Sequence, residues 1–107
     1  MADSFGDREK GYEAKYQLDE EQRFKAESRR NKLLGLWLAE VFGLTGSDAD
    51  AYAREVVMSD LDEPGIEDVM RKVMADISTR GAGISEADVR KQMDDLLHVA
   101  AEQISKE

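Results

Sequence analysis

The side chains that could do chemistry are few, and their spacing points away from catalysis. His98 is the only histidine and there is no cysteine, so thiolate and multi-histidine metal sites are excluded. Beside Leu97, the imidazole reads as a residue at the rim of a helical bundle. The run Asp60-Leu61-Asp62-Glu63-Pro64-Gly65-Ile66 begins like a calcium loop. Counted from Asp60, Asp62 and Gly65 fall at the third and sixth positions. Pro64 then offers no side-chain ligand at the fifth, and Arg71 stands at the twelfth, where a bidentate glutamate is required. An interhelical turn accounts for these residues. Gly81-Ala82-Gly83 has neither the preceding strand nor the Lys-Ser/Thr pair of a phosphate loop, and it too reads as a turn. Carboxylates are abundant, but no pair has a catalytic context. Met70, Met74 and Met93 lie on apolar stripes and read as packing residues. The expectation is a protein that is not an enzyme, with no catalytic, cofactor-binding or metal-binding residues.

Charge narrows the partners. The 107 residues carry a formal charge of −9, which disfavours nucleic acid and anionic membrane surfaces, since both select a basic face. Residues 1–32 hold eight acidic and eight basic side chains, whereas residues 33–107 hold sixteen acidic and seven basic ones. A charged but neutral leading third is therefore followed by a body that bears the whole imbalance. The only basic cluster is Arg29-Arg30-Asn31-Lys32. On a helix these residues face several directions, and with Glu27 nearby they read as a salt-bridged, solvated stretch. No apolar run approaches the roughly 20 residues that span a bilayer. The start lacks the basic and apolar regions of a secretory signal, so a cytoplasmic location is expected.

The elements that must position these residues are helical. Sustained period-two alternation is absent, and four windows fit the helical repeat. The clearest is Ile66, Val69, Met70, Val73, Met74 and Ile77, closed by Arg80 and a C-cap Gly81. The next opens at Ser85 as N-cap with Asp88 three residues on, Ile84 stapling onto Val89, and continues through Met93, Leu96, Leu97, Ala100 and Ile104. A shorter helix is expected from Ser47, presenting Ala49, Tyr52, Ala53, Val56 and Val57, and ending at Asp62-Glu63-Pro64-Gly65. Upstream, a helix from about Leu18 to Phe42 is apolar in its second half (Leu34, Trp37, Leu38, Val41, Phe42). From Asp19 to Lys32 it is nearly all charged, with Phe24 the sole large apolar residue. At 1.5 Å per residue it would be about 37 Å long, against roughly 20 Å for the others, so its charged front should protrude or pack loosely. Short connections favour antiparallel neighbours. The fold class expected is all-α: a four-helix bundle over residues 18–107, with a long first helix and a flexible N-terminal segment, residues 1–17.

In that segment Phe5, Tyr12 and Tyr16 fall at i, i+7 and i+11, so winding it would align three rings on one face. Gly6 and Gly11 each weaken a helix by nearly 1 kcal/mol relative to alanine. Three rings do not offset backbone ordering at about 1–2 kcal/mol per residue. Alone the segment should be disordered; in a partner's groove it could fold as an amphipathic helix.

Several runs resemble a known family. Phe5-Gly6-Asp7-Arg8-Glu9, Glu13-Ala14-Lys15-Tyr16, Phe24-Lys25-Ala26 and above all Arg29-Arg30-Asn31-Lys32-Leu33-Leu34-Gly35-Leu36-Trp37 look like the signature of the ζ subunits. These are small inhibitor proteins of bacterial F-type ATP synthases. Ala51-Tyr52-Ala53-Arg54-Glu55-Val56-Val57 is similar to the family's second-helix region. The resemblance implies a regulatory bundle whose N-terminal segment inserts as a helix between catalytic and non-catalytic subunits, contacts the rotor stalk and blocks ATP hydrolysis. Carried over, the partner-binding residues would be Phe5, Arg8, Glu9, Tyr12, Glu13, Lys15 and Tyr16. The location implied is cytoplasmic, peripheral to the membrane through the ATP synthase, without direct membrane insertion. Two alternatives stand beside it: a small helical module that binds adenine nucleotide weakly, also hinted at by the resemblance, and a general protein-interaction bundle.

Overall fold

The computed structural model describes residues 15–60 and 65–107. Among these residues the chain forms four helices and no strand: α1 Glu20–Val41, α2 Gly46–Met58, α3 Glu67–Arg80 and α4 Glu86–Ser105. The protein is the expected all-α four-helix bundle. α1 is its axis, packed along both α2 and α4, while α3 touches α2 and α4 more sparsely.

The helices start and stop for local reasons. At α1, Asp19 Oδ1 accepts from the Gln22 backbone N–H at 2.8 Å, and Gln22 Oε1 accepts from the Asp19 N–H at 3.1 Å. This reciprocal capping box begins the helix two residues later than the apolar pattern suggests. Ser85 caps α4 by accepting from the Asp88 N–H at 3.1 Å. Gly81 ends α3 in the left-handed region (φ 63°, ψ 34°), a conformation glycine adopts without a Cβ penalty. The start of α2 also differs from the sequence reading. Thr45 rather than Ser47 precedes α2, and it makes no side-chain cap bond. The expected flexible segment lies outside the described residues up to Ala14.

The core follows the stripes. Leu34, Leu38, Val56, Val69, Val73 and Val89 are fully buried, with Met70, Ile77 and Met93 around them. The largest departure concerns the front of α1. It does not protrude, because α4 has 20 residues and at about 1.5 Å per residue reaches some 30 Å, long enough to cover it. Ala26 packs there with Leu97, Ala101 and Ile104 in a second, smaller cluster, joined by Tyr16 and Leu18. Arg29 locks the two helices from outside: Nη2 lies 2.7 Å from Glu107 Oε2, and Nη1 donates to Gln103 Oε1 at 3.0 Å.

Candidate interaction site

The site expected from sequence is the leading segment, and the structure describes its last residues. Lys15 and Tyr16 are helical, and Gln17 then turns the chain with a φ of 55° before the Asp19 cap. A positive φ is uncommon for a residue with a Cβ. The Tyr16 ring is half-buried and meets the edge of His98, with centroids 6.1 Å apart and planes at 60°. Lys15 Nζ sits 5.4 Å from the centre of the same ring. His98 is itself half-buried, and its Nδ1 is buried without a hydrogen-bond partner among the described residues. Phe5, Arg8, Glu9, Tyr12 and Glu13 lie outside the described residues, so of the seven partner-binding residues the structure places Lys15 and Tyr16 only. It places them at the root of the segment, where it joins the body.

Two polar systems hold the body that carries this root. Asn31, almost wholly buried, accepts from Arg30 Nε at 3.1 Å through its Oδ1 and donates through Nδ2 to Asp60 Oδ2 at 3.0 Å. The pair ties the middle of α1 to the turn that follows α2. Between α2 and α3, the Tyr52 hydroxyl donates to Asp76 Oδ2 at 2.8 Å, and Lys72 bridges Asp76 and Glu55 at 2.9 and 2.8 Å. Burial, together with the adjoining Asp76 carboxylate, holds the Tyr52 hydroxyl well above its ordinary pKa. Burial opposes the charge on Lys72, yet its hydrogen bonds to Glu55 and Asp76 outweigh that and raise its pKa. Phe42 completes this corner, edge-on to Tyr52 at 5.4 Å and stacked under Arg80 at 4.8 Å. Among the described residues no group of three or more His, Cys, Asp or Glu is placed to hold a metal ion. No described helix is long and apolar enough to cross a membrane.

The family model for ATPase inhibitor subunit zeta matches residues 1–103, nearly the whole chain. The chain belongs to that family. A solved structure, "Solution NMR structure of the protein", is 51% identical and covers 78% of this ζ chain and 95% of its own, with a TM-score of 0.70. The curated proteins give no match.

Membership gives the Arg29-to-Trp37 run a physical meaning. Arg30 and Asn31, read from sequence as part of a solvated basic stretch, are instead buried and hydrogen-bonded. Gly35 sits where α1 crosses α2 so closely that a Cβ would lie 2.6 Å from the Ala53 Cα. Leu34 and Leu38 fill the core on either side of that crossing. The buried side of the run that resembles the ζ signature is thus the joint between α1 and α2. Sequence reasoning missed the Asp19–Gln22 capping box and the Gly35 crossing. Both left a signal: Asp-x-x-Gln before the helix, and a glycine inside an apolar stripe.

Proposed function

We propose that this ζ-family chain inhibits ATP hydrolysis by the F-type ATP synthase, inserting its N-terminal segment as a helix at a catalytic subunit interface while the bundle stays outside. The observation that carries this reading is the family match, which includes the leading segment as well as the body. The sequence supports it: Phe5, Tyr12 and Tyr16 align on one helical face for packing, and Arg8, Glu9, Glu13 and Lys15 suit a polar interface. A rotary ATPase must close a subunit interface around its nucleotide. A helix wedged in that interface stops the closure by occupying space, and no chemistry of its own is needed. Residues 1–17 form the inhibitory unit of this reading and residues 18–107 the anchoring bundle. Tyr16 supports a hinge at their junction, since its ring already rests on α4.

Truncation tests it. A chain starting at Lys15 keeps the Tyr16 contact and should retain the helical circular-dichroism spectrum of the whole protein. In an ATP-hydrolysis assay with the purified synthase it should no longer inhibit. Full inhibition by this truncated chain would refute the reading.

A further inference from the structure

The strongest unassigned feature is a cleft along α1, bordered by the end of α4 and by α2. Two shallow depressions, of about 480 and 430 Å³, share Lys32 and Val57 and run into one another. Phe24 forms one end with 71% of its surface exposed, the most exposed large apolar side chain among the described residues. Lys25 and Arg29 border that depression, and Arg54 borders the other. Asp50 and Glu107 also line the cleft, leaving four cations to two acids. Arg29 already engages Glu107, and Lys25 sits 3.6 Å from Glu21. Lys32 and Arg54 are exposed and have no ion pair or hydrogen bond among the described residues. A chain with a formal charge of −9 thus keeps a basic, aromatic-ended cleft in which two cations, and one carboxylate at Asp50, have no ion pair among the described residues.

We infer that this cleft docks an acidic stretch on the outer surface of the ATP synthase, a second contact that holds the bundle in place beside the inserted helix. The inference rests on the function proposed above. Charge selects the occupant: two cations unpaired among the described residues complement carboxylates, and Phe24 and Val57 supply the apolar contact. Continuity supplies the place. Phe24 is eight residues beyond Tyr16 and one turn into α1, so a chain held by its leading segment brings this cleft against the neighbouring protein surface. A second copy of the chain is disfavoured, because two bodies of charge −9 repel one another.

The test uses the full-length chain and its double variant K32E/R54E. Both side chains are exposed and unpaired among the described residues, so the helical spectrum and the melting temperature should match those of the wild type. Titrated against the purified ATP synthase at low salt, the variant should bind at least about tenfold more weakly, because attraction becomes like-charge repulsion. The gap should narrow as salt screens the charges. Phe24→Ala, which leaves every charge in place, should weaken binding at all salt concentrations. Wild-type affinity for K32E/R54E would overturn the docking inference, while loss of inhibition on removing residues 1–14 would still uphold the inserted helix. A truncated chain that inhibits fully would overturn the inserted helix and, with it, the basis for this cleft. Two results on the free protein would also overturn the inference. A wild-type dimer lost in the double variant would assign the cleft to a second copy. Amide shifts of residues 1–14 that respond to the double variant would assign it to the chain's own leading segment.

Discussion

Two packed regions meet along α1, and they are filled differently. Around its second half, the fully buried side chains are Leu34, Leu38, Val56, Val69, Val73 and Val89, drawn from all four helices. Around its first half, the buried residues are Ala26, Leu97, Ala101 and Ile104, from two helices, with half-buried Tyr16 and Leu18 at the edge. Burying a leucine or valine stabilises by about 1.5–3 kcal/mol, whereas alanine offers a single methyl. The first region is therefore the fold's anchor. The second closes over small side chains and the Arg29–Glu107 pair, an ion pair near the surface that adds little. Tyr16, the last ring of the leading segment and the only one described, packs on this weaker region.

The comparison breaks most readily at Gly35. Gly35→Ala gains about 1 kcal/mol of helix propensity, but its Cβ would fall 2.6 Å from the Ala53 backbone and force α1 and α2 apart. Overpacking of this kind costs about 1–3 kcal/mol, so a net loss is expected in chemical denaturation. A stabilised Gly35→Ala protein would show that the crossing is looser than the structure has it.

A smaller effect is expected at the α2–α3 corner. Tyr52→Phe keeps the ring against Phe42 and loses the hydroxyl bond to Asp76, at a cost of about 1 kcal/mol. It should also change the response to alkali. The Tyr52 pKa is raised in the folded protein, so its contribution is complete below the unfolded value near 10. Above that pH the unfolded chain loses its proton while the folded one keeps it, and stability falls by roughly 1.4 kcal/mol per pH unit. Denaturation midpoints from pH 8 to 11 should decline more steeply for the wild type than for Tyr52→Phe. Equal slopes would mean that the hydroxyl is not sheltered.

The body was more legible in the sequence than the joints. α3 and α4 follow the helical apolar stripe closely, and Gly81 and Ser85 end and begin them as their types predict. The family was legible in Arg29-to-Trp37, but the reason for that run was not. Asn31 is buried because it bonds Asp60, 29 residues away, and no local spacing reveals such a partner. The same holds for the front of α1. Its charges read as a solvated helix, and the small face at Ala26 is too slight a signal to announce that α4 covers it. Of the site, Lys15 and Tyr16 were found as chemistry but not as a root, because contact with His98 depends on a turn at Gln17 that no common motif encodes.

The root itself gives the smallest and most informative effect. Tyr16→Ala removes a ring that is only partly buried, so global stability should fall by about 1 kcal/mol, well short of the roughly 3–5 kcal/mol of a fully buried ring. Local opening is a different quantity, because a region with few buried apolar contacts can unfold while the rest holds. Amide exchange should therefore quicken in the first turns of α1, near Ala26, and in the last turns of α4, near Ala101 and Ile104. Around Leu34 and Leu38 it should stay as in the wild type. Faster exchange at all these positions by one common factor would mean that the two regions open as a single unit, and the leading segment would then be fastened to the whole bundle instead of its weaker end.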